Sequence, residues 1–170
     1  WVDVPSELYD AEKTHGLYHE FLDELEFAEQ CGFDGLCVNE HHQNAYGLMP
    51  SPNLMAAALS RRTQRAVITV LGNSIALYNP PVRIAEEFAM LDVMTGGRFI
   101  AGFPVGTSMD TNFAYGEVPA TLRDKYREGL DASRALSFYR QLSTVALRHS
   151  LSPPAAETPA AGVDSRWWQH

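Results

Sequence analysis

The stretch "AVITVLGNSIALYNPPVRIAEEFAMLDVMTGGRFIAGF", residues 66–103, decides the fold class. It opens with a β-branched apolar run at residues 66–71, which is typical of a buried strand. Pro81 then suits the first turn of a helix over "PVRIAEEFAMLDVMT", and Gly96–Gly97 is a typical helix end. A third segment, residues 98–103, again reads as a strand. This order of strand, helix and strand predicts parallel pairing with right-handed crossovers.

The residues before this stretch repeat the same pattern. Residues 17–31 carry apolar side chains at helical spacing with acids opposite, and Gly32 is a typical helix stop. Residues 33–38, "FDGLCV", predict a strand buried on both faces. Asn53 is then expected to cap a helix through "LMAAALSRRT". The chain is therefore predicted to be a series of βα units.

The C-terminal part has a different character. Thr121 with Asp124 resembles a capping box that opens a helix over residues 122–136. Beyond it, residues 136–170 are rich in Ala, Ser and Pro and show no clear strand pattern. We expect residues 1–135 to form one domain and residues 136–170 to be a divergent, flexible tail. The alternative is a natural interaction segment that Trp167 and Trp168 anchor.

The predicted loops are unequal in length. The links from helix to strand are short, whereas those from strand to helix are long, at residues 39–52, 72–80 and 104–120. In parallel α/β folds the carboxyl ends of the strands form the working face. The sequence therefore predicts a functional site in these three loops.

Composition narrows the class of partner and the compartment. The net charge of -8 argues against nucleic acid or an anionic membrane as a partner. No apolar run approaches the roughly 20 residues that span a bilayer, and the first residues show no signal peptide. Cys31 and Cys37 fit a reduced cytoplasmic protein, and we expect both thiols to be buried.

The loop after the first predicted strand, "VNEHHQNAYG" at residues 38–47, contains an acid followed by two histidines. Adjacent residues at a strand end point in opposite directions, so His41 and His42 are not expected to bind one metal ion together. One imidazole in a cleft can instead transfer a proton near neutral pH. The other interpretation is structural: one histidine caps the loop and the other packs. Local sequence leaves the choice open.

The next two strand ends also carry candidate groups. Asn73 and Ser74 could bind the polar edge of a heteroaromatic ring, or could only stabilise a turn. The third end, "AGFPVGTS", has glycines but does not match GxGxxG and has no lysine for a phosphate. It is a weak nucleotide motif.

Two segments, "FAEQCGFDGLCVNEHH" and "ITVLGNSIALYNPPVRIAEEFAMLDVMTGGRFIAGFPVG", resemble the bacterial luciferase-like monooxygenase family. The resemblance covers residues 17–134, with the "EHH", "NPPVR", "LD" and "GGR" segments in order. It implies an α/β fold, a (β/α)8 TIM barrel. The strands present would be the second to fourth of a partial barrel, with the first before Trp1. On this expectation the chain is truncated or frameshifted after about residue 134.

The resemblance also implies roles for the acid and histidines. The family's catalytic histidine falls on His41, which would stabilise the oxygen adduct of the flavin or assist proton transfer near its C4a atom. Glu40 and His42 are left as supporting residues. The family's non-prolyl cis peptide falls near Gly72–Asn73–Ser74. A metal is not expected.

Cofactor and partners follow from the same resemblance. The expected cofactor is reduced FMN, used with O2, and F420 is the alternative. The expected cofactor-binding residues are Asn73, Ser74, Gly102, Phe103 and Val105. Val105 stands where bacterial luciferase has an arginine that contacts the flavin phosphate.

The implied function is flavin-dependent monooxygenation of a small organic substrate, with a separate flavin reductase and a homodimeric protein. The alternatives are an F420-dependent oxidoreductase of the same fold or an inactive, truncated dimerising or binding module. No nucleic acid or membrane partner is expected.

Overall fold

The structure is a computed structural model that describes residues 10–43, 48–106 and 108–131. Its elements are α1 (Ala11–Gln30), β1 (Gly35–Val38), α2 (Pro52–Arg62), β2 (Val67–Val70), α3 (Val82–Thr95), β3 (Phe99–Ala101), α4 (Met109–Ala114), a 3-10 turn (Pro119–Thr121) and α5 (Leu122–Asp131). The strands form one parallel sheet in the order β1-β2-β3. The predicted α/β class with a parallel sheet is therefore confirmed.

The core lies between one face of this sheet and the helices. Leu36 pairs in register with Ile68, and Ile68 with Phe99, so apolar side chains align across the strands. The buried cluster on this face consists of Val38, Met55, Ala56, Leu59, Ile68, Val70, Ile84, Phe88, Leu91 and Phe99. Partly buried side chains of α1 pack against the same cluster. Burial of this face holds the three βα units together.

The opposite face of the sheet corrects two predictions. Residues of β1 alternate between exposed and buried, and Ile100 in β3 is 43% exposed. The prediction that the first strand is buried on both faces is therefore wrong for the described residues. Alternate side chains of a strand point to opposite faces, and α1–α3 cover only one of these faces. Cys31 and Cys37 are both exposed free thiols, so the prediction of buried cysteines was also wrong.

Several element boundaries also differ from the predictions. Helix α1 begins at Ala11, before the predicted start at residue 17, because the Asp10 carboxylate caps the backbone N–H groups of Glu12 and Lys13 at 3.1 Å each. Asn53 does not cap α2; it lies inside the helix, 7% exposed, and Ser51 precedes the first turn. The loop predicted at residues 104–120 contains α4.

Other boundaries agree with the sequence. Helix α3 ends at Gly96, whose φ of 68° is left-handed, as the glycine pair predicted. Helix α5 begins at Leu122, and the tail predicted at residues 136–170 lies outside the described part of the chain. No described helix is both long and apolar enough to cross a membrane.

Two charged side chains fix the amino ends of the strands. The Glu29 carboxylate accepts from the backbone N–H groups of Gln64, Arg65 and Ala66. The Arg98 guanidinium donates to the carbonyls of Thr63 and Ala66. The short links are thereby held at one end of the sheet, and the long loops are left at the carboxyl end.

Candidate active site

The loops that follow the three strands meet at the carboxyl end of the sheet. Asn73, after β2, donates its backbone N–H to Glu40 Oε2, after β1, at 2.5 Å. Ser74, also after β2, donates its hydroxyl to the carbonyl of Val105, after β3, at 2.8 Å. The structure thus brings the residues predicted at three separate strand ends into one cluster.

Glu40 lies at the centre of this cluster and is 9% exposed. Its Oε1 lies 2.8 Å from His42 Nε2 and accepts from the Tyr78 hydroxyl at 2.6 Å. The pKa of Tyr78 is raised far above its usual range, chiefly by burial and secondly by the hydrogen bond to Glu40, so this hydroxyl remains a donor. These contacts are what a supporting role requires, although the role itself stays a prediction.

The two histidines diverge, as expected for adjacent residues at a strand end. His41 Nδ1 lies 3.2 Å from Asp110 Oδ2, while the ring of His42 turns to Glu40. The His41 side chain is 19% exposed and that of His42 is 11% exposed. Within the described ranges, no three His, Cys, Asp or Glu residues form a group that could hold a metal ion. Of the two imidazoles, His41 is the more accessible.

Asp110 is a site residue that the sequence did not reveal. Its Oδ2 accepts from the backbone N–H of His42 at 3.1 Å, and its Oδ1 accepts from the Ser108 hydroxyl. Burial raises the pKa of Asp110, but the hydrogen bonds from Ser108, His42, His41 and the Thr111 N–H outweigh burial and hold it well below its usual range. Asp110 lies in the loop predicted at 104–120, and no motif signals that this carboxylate meets His41.

Asn73 has an unusual backbone and an internal side chain. Its φ is 60°, it is 2% exposed, and its amide donates to Asn53 Oδ1 at 2.5 Å. Asn53 in turn donates to Glu87 Oε2 at 2.6 Å. The Asn73 side chain therefore points into the layer between β2 and the helices, and its role in cofactor binding stays a prediction.

The cis peptide expected near Gly72–Asn73–Ser74 is not found. The cis bond of this region is Asn79–Pro80. The chain instead turns at Asn73 through its positive φ, which asparagine tolerates better than most residues. Gly72 packs so closely that an added Cβ would lie 2.6 Å from Glu40 Cβ. The tight approach of the first two loops is thus achieved without a cis bond at this position.

The loop after β3 forms the third side of the site. Gly102 continues the ladder by donating to the Val70 carbonyl at 2.8 Å. Phe103 packs on Phe88, with ring centroids 5.1 Å apart, and its carbonyl accepts from the Tyr126 hydroxyl. Gly106, with φ of 80°, lies directly against Ser74. Val105 and Gly106 therefore lie against Ser74, whereas Gly102 lies against β2 and Phe103 packs on Phe88; the role of this loop in cofactor binding stays a prediction.

Comparison with known proteins identifies the family. The family model described as luciferase-like monooxygenase matches residues 4–162, which includes residues on both sides of the boundary predicted at 135. The chain is 33% identical over 117 residues to 4-hydroxyprotoasukamycin monooxygenase of Streptomyces nodosus subsp. asukaensis, covering 68% of this chain and 31% of that protein. It is 38% identical over 84 residues to the alkanal monooxygenase beta chain of Vibrio harveyi, covering 49% of this chain and 26% of that protein.

A solved structure shares the fold. It is the oxygenating constituent of 3,6-diketocamphane monooxygenase from the CAM plasmid of Pseudomonas putida, a type II Baeyer-Villiger monooxygenase in complex with FMN. The TM-score is 0.65 at 22% sequence identity, over 74% of this chain and 34% of that one. The chain thus spans between about a quarter and a third of the length of these relatives. The chain belongs to the luciferase-like monooxygenase family.

Proposed function

We propose that this protein is a flavin-dependent monooxygenase that uses reduced FMN and O2 to insert one oxygen atom into a small organic substrate. On this proposal, residues 10–131 supply the second to fourth strands of a (β/α)8 barrel. The observation that carries the proposal is the position of His41, a partly exposed imidazole at the carboxyl end of β1 that lies 3.2 Å from Asp110 in the segment after β3.

The site residues fit the ring of a flavin better than its phosphate. Phe103 and Val105 are partly buried in the loop after β3, and Leu71 exposes an apolar surface at the end of β2. Gly106 packs tightly on Ser74, since an added Cβ would collide with that side chain, so the loop after β3 is fixed against the loop after β2. The sequence from residue 102 to 110 contains no lysine or arginine, so this loop offers no cation for a phosphate.

The chain's own residues would then act as follows. Phe103, Val105 and Gly106 would form one wall against the isoalloxazine ring, with Asn73 and Ser74 holding that wall in place. His41 would hold or transfer a proton at its Nε2 atom, and Glu40 and His42 would fix the loop that carries it. When bound and reduced, FMN supplies the two electrons by which O2 gives one oxygen atom to substrate and one to water.

F420 is the alternative cofactor. F420-dependent hydride transfer would use the same barrel face, with His41 as proton donor. Since F420 is a deazaflavin, its ring could occupy the same apolar wall. Fluorescence titration of the protein with FMN and with F420 separates the two proposals.

Two partners complete the proposal. A separate reductase would supply reduced flavin; the structural neighbour named as an oxygenating constituent supports this two-component arrangement. A homodimer would cover the apolar strip of α3 formed by Met90, Val93 and Met94, which are 63%, 51% and 46% exposed. The free, exposed thiols Cys31 and Cys37 suit a cytoplasmic location.

The proposed function is tested by oxygenation assays with photoreduced FMN, O2 and a panel of aldehydes, ketones and terpenes. His41→Ala is expected to lower the rate about 10²-fold or more, because general acid–base groups contribute about 10²–10⁴-fold. His19→Ala, a change in an exposed histidine of α1, is the matched control. Oxygenation that is unaffected by His41→Ala would contradict the assignment of His41, and absence of FMN binding would contradict the proposed cofactor.

A further inference from the structure

Asp110 and His41 come from different strand ends. Asp110 lies in the first turn of α4, after β3, whereas His41 follows β1, and Asp110 Oδ2 lies 3.2 Å from His41 Nδ1. The carboxylate is 6% exposed. A carboxylate that bonds to one imidazole nitrogen fixes both the orientation of the ring and the position of its proton. The geometry therefore bears directly on which nitrogen of His41 is available for chemistry.

The position of the proton follows from the charge of Asp110. Burial raises the pKa of this carboxyl, but hydrogen bonds, among them those from the Ser108 hydroxyl and the backbone N–H groups of His42 and Thr111, hold it well below the usual range, so Asp110 is ionised at neutral pH. An ionised carboxylate only accepts hydrogen bonds. The proton between the two residues must therefore be on His41 Nδ1, and in the neutral ring Nε2 carries the lone pair.

The carboxylate is itself held firmly. Its Oδ2 also accepts from the His42 backbone N–H, and Ser108 donates to its Oδ1. Asn112, which is fully buried, donates to the carbonyls of Gly106 and Ser108 at 3.1 and 2.8 Å and so fixes the segment before Asp110. The carboxylate end of the contact is therefore anchored, and it can hold the His41 ring in one direction.

We propose that Asp110 is the positioning residue for His41: it holds the imidazole in the Nδ1–H tautomer, so that Nε2 is the nitrogen that accepts or donates the proton in the reaction. The catalytic part of this inference rests on the proposed monooxygenase function, whereas the tautomer is a property of the protein without cofactor. His42 is held at its Nε2 by Glu40, so the two adjacent histidines have opposite tautomers.

The tautomers are tested by long-range ¹H–¹⁵N spectra of the ¹⁵N-histidine-labelled protein above pH 8, with signals assigned by their loss in His41→Ala and His42→Ala. We expect a pyrrole-type Nδ1 and a pyridine-type Nε2 for His41, and the reverse for His42. In Asp110→Ala, His41 should change to the Nε2–H form while the signals of His42 remain, which also reports that the loop is folded. An Nε2–H tautomer of His41 in the unmodified protein overturns the proposal without recourse to any variant.

Kinetics then test the positioning role. Asp110→Ala should lower kcat about 10-fold with little change in KM, and should have no further effect in the His41→Ala background, because the two residues act as one unit. A merely structural Asp110 would lower kcat equally in both backgrounds, and that result overturns the proposal. If the tautomers are as expected but no flavin binds, the proposed function is contradicted and the contact between Asp110 and His41 is still supported. If flavin binds but the tautomer of His41 is the other one, only the proposed role of Asp110 is contradicted.

Discussion

The backbone N–H of Asn73 donates to Glu40 Oε2 over 2.5 Å, and this bond ties the end of β2 to the end of β1. The same carboxylate accepts from Tyr78 and lies within hydrogen-bond distance of His42. Glu40 therefore satisfies three buried or partly buried polar groups that belong to two different loops. The shape of the site depends on this residue even though it is not the proposed proton carrier.

Replacement of Glu40 should show this dependence in stability. Glu40→Ala leaves two buried polar groups and the partly buried Tyr78 hydroxyl without their acceptor. Each buried group costs about 1–3 kcal/mol, so we expect a loss of about 2–4 kcal/mol in the free energy of unfolding. Urea unfolding measures the loss, with Glu24→Ala on the exposed face of α1 as the control. Equal stability of the two variants would show that Glu40 does not organise the loops.

Gly106 and Gly116 offer a matched pair. Both have positive φ, 80° and 65°, but an added Cβ at Gly106 would meet Ser74 whereas one at Gly116 would meet nothing within 4 Å. Gly116→Ala should cost about 1 kcal/mol for the backbone alone. Gly106→Ala should cost about 1–3 kcal/mol more, because the new methyl group is overpacked. If thermal unfolding shows equal losses, the close approach of Gly106 to Ser74 is not maintained in solution.

The ionised Asp110 predicts how stability depends on pH. Its pKa is lowered in the folded state, so its contribution is complete above the ordinary aspartate pKa of about 3.9 and is lost as the pH falls further. Between about pH 4 and pH 2, the free energy of unfolding of Asp110→Asn should therefore fall less steeply than that of the unmodified protein. Other carboxylates, including Glu29, contribute equally to both proteins and cancel. Parallel curves would mean that Asp110 is not charged in the folded protein.

The apolar strip on α3 predicts an effect on assembly. Met90→Glu with Met94→Glu should convert the proposed dimer to a monomer in sedimentation experiments, because charges would be buried in its interface. Phe113→Glu changes an equally hydrophobic residue, 80% exposed on α4, and should leave the mass unaltered. A double variant that remains dimeric would place the interface elsewhere.

The sequence predicted the order of elements because strand and helix periodicity is local. The apolar runs before Glu40 and Asn73 and the glycine pair after α3 were sufficient to place three βα units. Local pattern could not show which face of the strands the helices cover, and so the burial of Cys37 was predicted wrongly. The local pattern also could not show that the Asn53 side chain hydrogen-bonds to Glu87 and does not cap α2.

The candidate site was predictable in part for the same reason. Strand ends mark the working face of a parallel sheet, so Glu40, His41, Asn73 and Ser74 could be grouped before their contacts were known. Asp110 could not, since its contact with His41 joins residues 69 apart in the chain and depends on the short helix α4. Tertiary contacts of this kind leave no periodic signal in a single sequence.

The central claim, that flavin binds beside His41, is tested most directly by following the imidazole signals of His41 while FMN is added. We predict a saturable change in the His41 signals, with those of His15 and His19, exposed on α1, unchanged. F420 in place of FMN would give the same change if the alternative cofactor is correct. Signals of His41 that stay constant with saturating amounts of both cofactors would contradict the account.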